Sequence, residues 1–258
     1  MPLISAPALH LIIRIQELEL SEIHTSAHSR KMHQRLTGKV AAVVGFASTR
    51  SIAWGVAQAL NSDGASLTFL IQSDRFRPAL ELATSQWPRP PSIVCCDVTD
   101  DEQINTAFNS VLQLHGRLDH LCHCVAHASA AALRAPLLEC PRADFLAAHD
   151  VSAYSLVALC RAAAPLFNAT RSAASEPSGS IGGSVVALSY LGAQRVVPGY
   201  RVMGPAKASL EAVARQLAVE LVRHPKVVAS WTTRTRALRS PRCRDLRVSA
   251  STSCLQGP

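Results

Sequence analysis

Short apolar runs alternate with amphipathic stretches along the chain from residue 39 onward. The runs are rich in small and β-branched residues and predict buried strands, whereas the amphipathic stretches place apolar residues at helical spacing. The predicted strands cover residues 40–45, 66–71, 93–96, 118–125 and 185–189. The predicted helices cover residues 51–61, 75–86, 101–115, 144–167 and 200–222.

This alternation predicts a Rossmann-like α/β fold, a doubly wound parallel sheet with helices on both faces, in a single domain. Continuously apolar strands favour a sheet that is buried on both faces. Ligands of such sheets bind beyond the carboxyl ends of the strands, where the winding direction reverses. We therefore expect the functional residues to follow the first, fourth and fifth strands.

The composition is that of a folded protein with a basic end. Of the 258 residues 48% are hydrophobic and 17% charged, which is compatible with a packed core. The net charge is +8. Residues 223–258 hold 8 basic residues and 1 acidic residue, whereas the preceding 222 residues hold 18 basic and 17 acidic residues and are nearly neutral. The body therefore has no overall basic face, and we expect no nucleic-acid binding. A nucleic-acid-binding tail is the minor alternative to a disordered basic end.

No apolar run reaches the roughly 20 residues that a membrane-spanning helix needs. The longest run, residues 151–167, contains Arg161 and is typical of a buried helix. Residues 1–35 are interpreted as a targeting or disordered extension. Their Ser, His and Arg content favours a transit peptide, whereas Glu17, Glu19 and Glu22 disfavour one. We expect a soluble protein, located in the cytoplasm or in a plastid or other organelle.

The eight cysteines form no Cys-x-x-Cys pair and have mostly apolar neighbours, which favours buried thiols over disulfides. One cluster has metal-ligand chemistry, and it consists of His120, Cys122, His123, Cys124 and His127. On a strand, Cys122 and Cys124 share one face and His123 takes the other. No second ligand pair lies at zinc spacing, so we expect no metal.

Small and polar residues follow the first three predicted strands. Gly45 permits a tight turn, and a helix N-terminus near Ser51 suits a pyrophosphate. The stretch is not Gly-x-Gly-x-x-Gly, so an ordinary turn between strand and helix is an equal alternative. Gln72 stands where many NAD-binding folds carry an acidic ribose ligand. Asp97 suits either a helix cap or contact with an adenine ring.

Two tyrosines and a lysine follow the fifth predicted strand. Tyr200 and Lys207 are seven residues apart, close to two helical turns, so a helix beginning at Tyr200 would place both on one face. A packed tyrosine with an exposed lysine is the alternative. In the functional interpretation, the nearby ammonium lowers the phenol pKa from its usual value of about 10. The position directly after a central strand favours the functional interpretation.

These residues carry a family resemblance. Residues 188–212 read LSYLGAQRVVPGYRVMGPAKASLEA. Residues 51–59 read SIAWGVAQA, and residues 148–155 read AHDVSAYS. The chain resembles, over residues 36–222, the enoyl-[acyl-carrier-protein] reductases of bacterial type II fatty-acid synthesis, within the short-chain dehydrogenase/reductase superfamily. The signature is specific, because ordinary short-chain dehydrogenases lack a tyrosine at the position of Tyr190.

The resemblance implies an NADH site that is built from the ends of several strands. Its residues would be Gly45, Ser51 and Ile52 at the pyrophosphate, Gln72 at the adenosine ribose, Asp97 and Val98 at the adenine, Ala126 close to the cofactor, and Lys207 at the nicotinamide ribose. The absence of an arginine directly beside Gln72 favours NADH, while Arg75 and Arg77 leave NADPH open.

The resemblance also implies the chemistry. A trans-2-enoyl thioester on acyl carrier protein would receive a hydride at its β-carbon, and negative charge would develop on the thioester oxygen. Tyr200 would donate a hydrogen bond to that oxygen, Lys207 would add a positive field, and Tyr190 would line the acyl pocket. The family further implies a homo-oligomer, a tetramer.

Three departures from the family pattern stand out. Ala126 replaces a glycine that lies close to the cofactor, and the loop at residues 171–183 is longer than usual. After residue 222 the expected nicotinamide-binding turn, substrate-covering helices and last strand do not appear, although residues 226–231 suit a short sixth strand. We therefore expect a reductase domain at residues 36–231 and a basic tail without family motifs at 232–258.

Three functions remain after these departures. The first is the enoyl thioester reductase. The second is a reductase of another carbonyl substrate, which Tyr190 and the tyrosine–lysine spacing disfavour. The third is a catalytically impaired scaffold, which the divergent C-terminus favours.

Overall fold

The computed structural model describes residues 35–173 and 183–223. Within these ranges the strands are β1 Val40–Val44, β2 Ser66–Ile71, β3 Ser92–Cys95, β4 His120–His123 and β5 Ser184–Ala187. The α-helices are α1 Ile52–Ser62, α2 Arg77–Thr84, α3 Asp101–His115, α4 Ala130–Arg134, α5 Arg142–His149, α6 Ser155–Ala173 and α7 Met203–Arg223. A π-helical turn, Asp150–Tyr154, joins α5 to α6, and short 3₁₀ turns lie at Asp74–Phe76, Leu137–Glu139 and Leu191–Ala193.

The five strands form one parallel sheet in the order β3-β2-β1-β4-β5. The chain winds outward from β1 to β3 and then crosses back to place β4 on the other side of β1. The register pairs Val44 with Leu70 on one side and with His123 on the other. This confirms the predicted doubly wound parallel sheet, and its reversal point lies between β1 and β4.

Both faces of the sheet are covered by helices. On one face Val40, Ala42 and Val44 of β1 pack in a cluster with α3, α6 and α7. On the other face Ala41 and Val43 pack with α1 and α2. All five residues are buried, so the continuous apolar run of β1 serves both layers.

Helix α3 shows how local sequence sets the helix bounds. The Asp100 carboxylate accepts hydrogen bonds from the backbone N–H groups of Glu102 and Gln103 and caps the helix. Gly116 ends the helix in a left-handed conformation with φ of 68°. Asp100, and not Asp97, is therefore the capping residue.

A buried carboxylate ties the amino ends of the strands together. Asp119 precedes β4 and accepts hydrogen bonds from the Val40 N–H at 2.9 Å and from Arg117 Nη2 at 2.6 Å. Lys39 Nζ lies 3.2 Å from the same carboxylate. Burial raises the pKa of Asp119, but the bonds from Arg117 and Val40 outweigh it and hold the pKa below its usual value. This cluster lies at the opposite end of the sheet from the predicted site.

Two predicted helices differ from the structure. The helix expected over residues 144–167 begins at Arg142 and is interrupted by the π-helical turn, while α4 was not predicted. The helix expected to begin at Tyr200 begins at Met203. Arg201 has a φ of 46°, which is incompatible with an α-helix and delays its start.

The apolar stretch Arg142–Phe167 is long and apolar enough to cross a membrane by length and composition alone. Leu156, Leu159, Ala163 and Phe167 are buried in the core cluster, so packing within the domain accounts for its hydropathy. The six cysteines among the described residues are free thiols: Cys96, Cys122 and Cys160 are buried, whereas Cys95, Cys124 and Cys140 are half-buried. Burial raises the pKa of Cys96 to about 12. Residues 171–173 of the predicted loop 171–183 belong to α6, which contradicts the loop there, and residues 174–182 lie outside the described residues. The predicted extension 1–35, apart from Arg35, the sixth strand 226–231 and the tail 232–258 also lie outside them.

Candidate functional site

The carboxyl ends of β1, β4 and β5 bring together most of the predicted functional residues. Gly45 follows β1, Cys124 follows β4, and Leu188 to Tyr190 follow β5. The backbones of the first two approach closely: a Cβ on Gly45 would lie 2.5 Å from the Cys124 carbonyl oxygen. Since Gly45 also has a φ of 99°, only glycine suits this position.

The two predicted tyrosines are in contact. The ring centroids of Tyr190 and Tyr200 are 4.6 Å apart with the planes tilted by 54°. Gly192 leaves room for the Tyr200 ring, because a Cβ there would lie 2.3 Å from Cδ1 of Tyr200. Tyr200 is half-buried and Tyr190 is 42% exposed, so both rings face the space beyond the carboxyl end of β5. We call this pair of rings the tyrosine wall.

The pKa of Tyr200 moves in the direction opposite to the prediction. Burial, with a smaller effect of Tyr190, raises the pKa of Tyr200 to about 12. Lys207 does not lower it, because the ammonium is directed to the Leu188 carbonyl oxygen, 2.8 Å away. The phenol is therefore protonated throughout the neutral range and acts as a hydrogen-bond donor.

Lys207 is a buried cation on the second turn of α7, with 4% of its surface exposed. Burial lowers the pKa of Lys207 to about 8. Lys207 reaches the end of β5 through its bond to Leu188, and Tyr200 precedes α7, where its carbonyl accepts the hydrogen bond of the Met203 N–H that begins the helix. The alternative of an exposed lysine is wrong.

His123 is a site residue that the sequence interpretation placed only in a possible metal cluster. Its side chain is fully buried, and Nε2 lies 2.8 Å from the Ser155 hydroxyl. That hydroxyl donates its single proton to the Val151 carbonyl, so Nε2 of His123 must be the donor. Burial, with the nearby Lys207 charge, lowers the pKa of His123 to about 3 and keeps the ring neutral. No group of three or more potential metal ligands occurs among residues 35–173 and 183–223.

The predicted pyrophosphate residues lie at the N-terminus of α1. Ser51 is the N-cap, but its hydroxyl donates to the Ser48 carbonyl at 2.6 Å and does not cap the helix. Ile52 begins the helix and is 58% exposed. The first turn carries no acidic residue, so the free N–H groups and the helix dipole suit an anion.

The predicted adenosine residues form a hydrogen-bonded chain at the ends of β2 and β3. Gln72 Nε2 donates to Asp97 at 3.2 Å, and Arg75 Nη2 donates to Gln72 Oε1 at 3.1 Å. Arg75, one of the two arginines that leave NADPH open, is thus in contact with Gln72. Asp97 also accepts hydrogen bonds from the Thr99 N–H and hydroxyl. Val98 is buried next to them.

Ala126 lies in the loop after β4 and is exposed. The following residue, His127, is fixed by the buried Ser152, whose hydroxyl accepts from the His127 N–H at 3.0 Å. Ser152 belongs to the π-helical turn, so that turn holds the loop against the site. Sequence periodicity could not predict the bond between Ser152 and His127, because it indicates a regular helix at the π-helical turn.

The comparisons with known proteins agree with this geometry. The sequence model of the family described as "Enoyl-(Acyl carrier protein) reductase" matches residues 45–242. The chain is 44% identical over 189 residues to the enoyl-[acyl-carrier-protein] reductase [NADH] FabI of Nostoc sp., covering 72% of this chain and 68% of that protein. It is 39% identical over 191 residues to the protein of the same name from Bacillus subtilis, covering 74% and 69%.

A solved structure shows the same similarity in three dimensions. The crystal structure of the Bacillus cereus enoyl-acyl carrier protein reductase with NADP+ and indole naphthyridinone superimposes with a TM-score of 0.68 at 36% identity. The superposition covers 76% of this chain and 72% of that one. The family match includes all the strand-end residues described above and runs past α7. The chain therefore belongs to the enoyl-acyl carrier protein reductase family.

Proposed function

We propose that the protein reduces the double bond of trans-2-enoyl thioesters on acyl carrier protein, with NADH as the hydride source, in fatty-acid biosynthesis. The observation that carries this proposal is the arrangement at the end of β5. Tyr190 and Tyr200 are in ring contact, and the buried Lys207 donates a hydrogen bond to the Leu188 carbonyl, two residues before Tyr190. A fatty-acid role follows from the relatives, which are named as NADH-dependent enoyl-[acyl-carrier-protein] reductases.

Tyr200 is the catalytic hydrogen-bond donor of the proposal. Its raised pKa keeps the hydroxyl protonated, and none of the described residues accepts a hydrogen bond from it. The hydroxyl is thus available to the thioester oxygen, on which negative charge develops during the reaction. One preorganised donor at such an oxygen stabilises the transition state by about 3–4 kcal/mol. Tyr190 bounds the same space and would contact the acyl chain.

Lys207 has a supporting role. At neutral pH its ammonium is charged, and the Leu188 carbonyl fixes its direction. A fixed cation in a buried position stabilises nearby negative charge more strongly than one in water. The ammonium retains further N–H donors that suit the ribose hydroxyls of a nicotinamide cofactor.

The residues present fit a dinucleotide. The α1 N-terminus provides free N–H groups for the pyrophosphate, and Gln72 and Asp97 provide amide and carboxylate groups for the adenosine. When bound, the reduced nicotinamide supplies the hydride that adds to the β-carbon of the substrate. The Asp97 carboxylate, 3.2 Å from Gln72, opposes an additional phosphate at this position, whereas Arg75, 3.1 Å from Gln72, favours one. The choice of NADH over NADPH therefore rests on the relatives, which are named as NADH-dependent.

We further propose that the protein is a soluble homo-oligomer. Leu146 and Tyr154 are 57% and 45% exposed, and they line an open groove of about 470 Å³ between the α5–α6 region and α7. Association of copies through these helices would remove this apolar surface from water. Light scattering on the purified chain tests the proposal, and a monomer at micromolar concentration would contradict it. Location in the cytoplasm or in an organelle stays a prediction.

The activity is tested with NADH and crotonyl thioester, using a simple ketone as the competing substrate. We expect NADH oxidation with crotonyl thioester, butyryl thioester as the product, and no oxidation with the ketone. Turnover of the ketone alone would favour a different carbonyl reductase. Failure of the folded chain to bind NADH in calorimetry would favour the catalytically impaired scaffold.

A further inference from the structure

Two neighbouring residues at the end of β5 are held by two residues of one helix. The Leu188 carbonyl accepts a hydrogen bond from Lys207 Nζ at 2.8 Å. The hydroxyl of the next residue, Ser189, donates to Glu211 Oε1 at 2.7 Å. Lys207 and Glu211 are four residues apart on α7 and therefore lie on one face of the helix.

The carboxylate that accepts the Ser189 hydrogen bond belongs to a buried glutamate. Glu211 has only 8% of its surface exposed, although glutamate is rarely buried unless it is paired. A hydrogen bond to a buried carboxylate is strong, and its loss leaves the carboxylate without compensation. The contact therefore constrains the backbone at Ser189 more firmly than an exposed serine would.

We propose that Ser189 and Glu211 are positioning residues that fix the end of β5 for the reaction. Ser189 lies between Leu188, whose carbonyl directs Lys207, and Tyr190, whose ring contacts Tyr200. A shift of the Ser189 backbone moves both neighbours, and with them the cation and the tyrosine wall. This inference rests on the proposed reductase function but concerns residues to which that function assigns no role.

The same strand offers a matched control. The Ser184 hydroxyl, at the opposite end of β5, makes a 2.7 Å hydrogen bond with His120 Nδ1. Ser184→Ala thus removes a serine hydrogen bond of equal length from β5 itself, away from the carboxyl-end cluster. Because Ser189→Ala also leaves the Glu211 carboxylate unpaired, the two variants are compared under conditions in which both are folded.

The experiment compares Ser189→Ala, Ser189→Thr and Ser184→Ala in the crotonyl thioester assay and in NADH binding by calorimetry. We expect Ser189→Ala to lower kcat about tenfold and weaken NADH binding about fivefold, because Lys207 and Tyr190 lose their alignment. Ser189→Thr keeps the hydroxyl and should retain most of the wild-type kcat and of the wild-type affinity for NADH. Ser184→Ala should change neither by more than about twofold. Equal losses in Ser184→Ala and Ser189→Ala, or an unchanged Ser189→Ala, would overturn the proposal.

A double variant covers the case in which Ser189→Ala does not fold. Ser189→Ala with Glu211→Leu removes both partners and leaves no uncompensated carboxylate, so its stability should approach that of the wild type. We expect it to retain the tenfold loss of kcat, and full activity would contradict the proposal. If the wild-type chain itself turns over no enoyl thioester, the proposed function fails, and NADH affinity in Ser189→Ala against Ser184→Ala decides the positioning role.

Discussion

Gly192 provides the sharpest test of the tyrosine wall. It lies in the turn between Tyr190 and Tyr200 and has an ordinary negative φ, so alanine is compatible with its backbone. The added Cβ, however, would lie 2.3 Å from Cδ1 and 2.8 Å from Cε1 of Tyr200. These atoms belong to a half-buried ring that also packs on Tyr190. The substitution therefore acts on the position of the side chain that we propose as the hydrogen-bond donor.

The size of the effect follows from these distances. Carbon atoms in contact are about 3.5–4.0 Å apart, so the Tyr200 ring must move by more than about 1 Å. A misplacement of about 1 Å in an enzyme site costs about 10²-fold in rate. We expect Gly192→Ala to lower kcat by that factor, equivalent to about 2.7 kcal/mol of transition-state stabilisation.

The assay is the steady-state rate with crotonyl thioester at saturating NADH. The matched control is Gly55→Ala in α1, where an added Cβ would meet no atom within 4 Å. This control should keep its activity and gain about 0.5–1 kcal/mol in unfolding free energy from helix propensity. A folded Gly192→Ala protein with wild-type kcat would refute the assignment of Tyr200 as the positioned donor.

Four further predictions follow from the same contacts. Tyr200→Phe should lower kcat by about 10²–10³-fold without changing the Kd for NADH in fluorescence titration, because only the donor to the thioester oxygen is lost. Since burial lowers the pKa of Lys207 to about 8, its charge is lost as pH rises through that value, and kcat/KM for NADH should fall there in a pH profile. Gly45→Ala should lose about 1–3 kcal/mol in urea unfolding, because its Cβ meets the Cys124 carbonyl at a positive φ. Asp119→Asn should destabilise at pH 7. Because the folded-state pKa of Asp119 is lowered, its contribution is present above the unfolded value of about 3.9 and disappears as pH falls below it, so unfolding at pH 3 should show a smaller difference.

The strand pattern made most of the sheet predictable. The strand Ser66–Ile71 and the helix Asp101–His115 have the predicted bounds. The strand is a continuous apolar run, and the helix has apolar residues at helical spacing, so in both the pattern follows from which residues are buried. The start of α7 was not predictable in this way. Its delay depends on the backbone of Arg201, and a single residue with positive φ leaves no trace in periodicity. The π-helical turn Asp150–Tyr154 was not predicted either, because its residues fit the pattern of a helix that continues into α6.

The structure brings the predicted tyrosines and lysine to the end of β5, but their environment was not predictable from the sequence. The positions of Tyr190, Tyr200 and Lys207 follow from their spacing after the fifth strand. The direction of the Tyr200 pKa does not, because it depends on burial and on where the Lys207 ammonium points. The contact of Arg75 with Gln72 likewise depends on a turn three residues long. Long-range side-chain contacts of this kind require the folded chain.

Transfer of a hydride from NADH to the β-carbon of an enoyl thioester can be followed directly with an isotope. The most direct measurement uses the full 258-residue chain with crotonyl thioester and NADH that carries deuterium at the transferred position of the nicotinamide. Mass spectrometry and NMR of the product then locate the label. We expect butyryl thioester with one deuterium at the β-carbon. A folded chain that binds NADH but yields no labelled product would contradict the proposed hydride transfer.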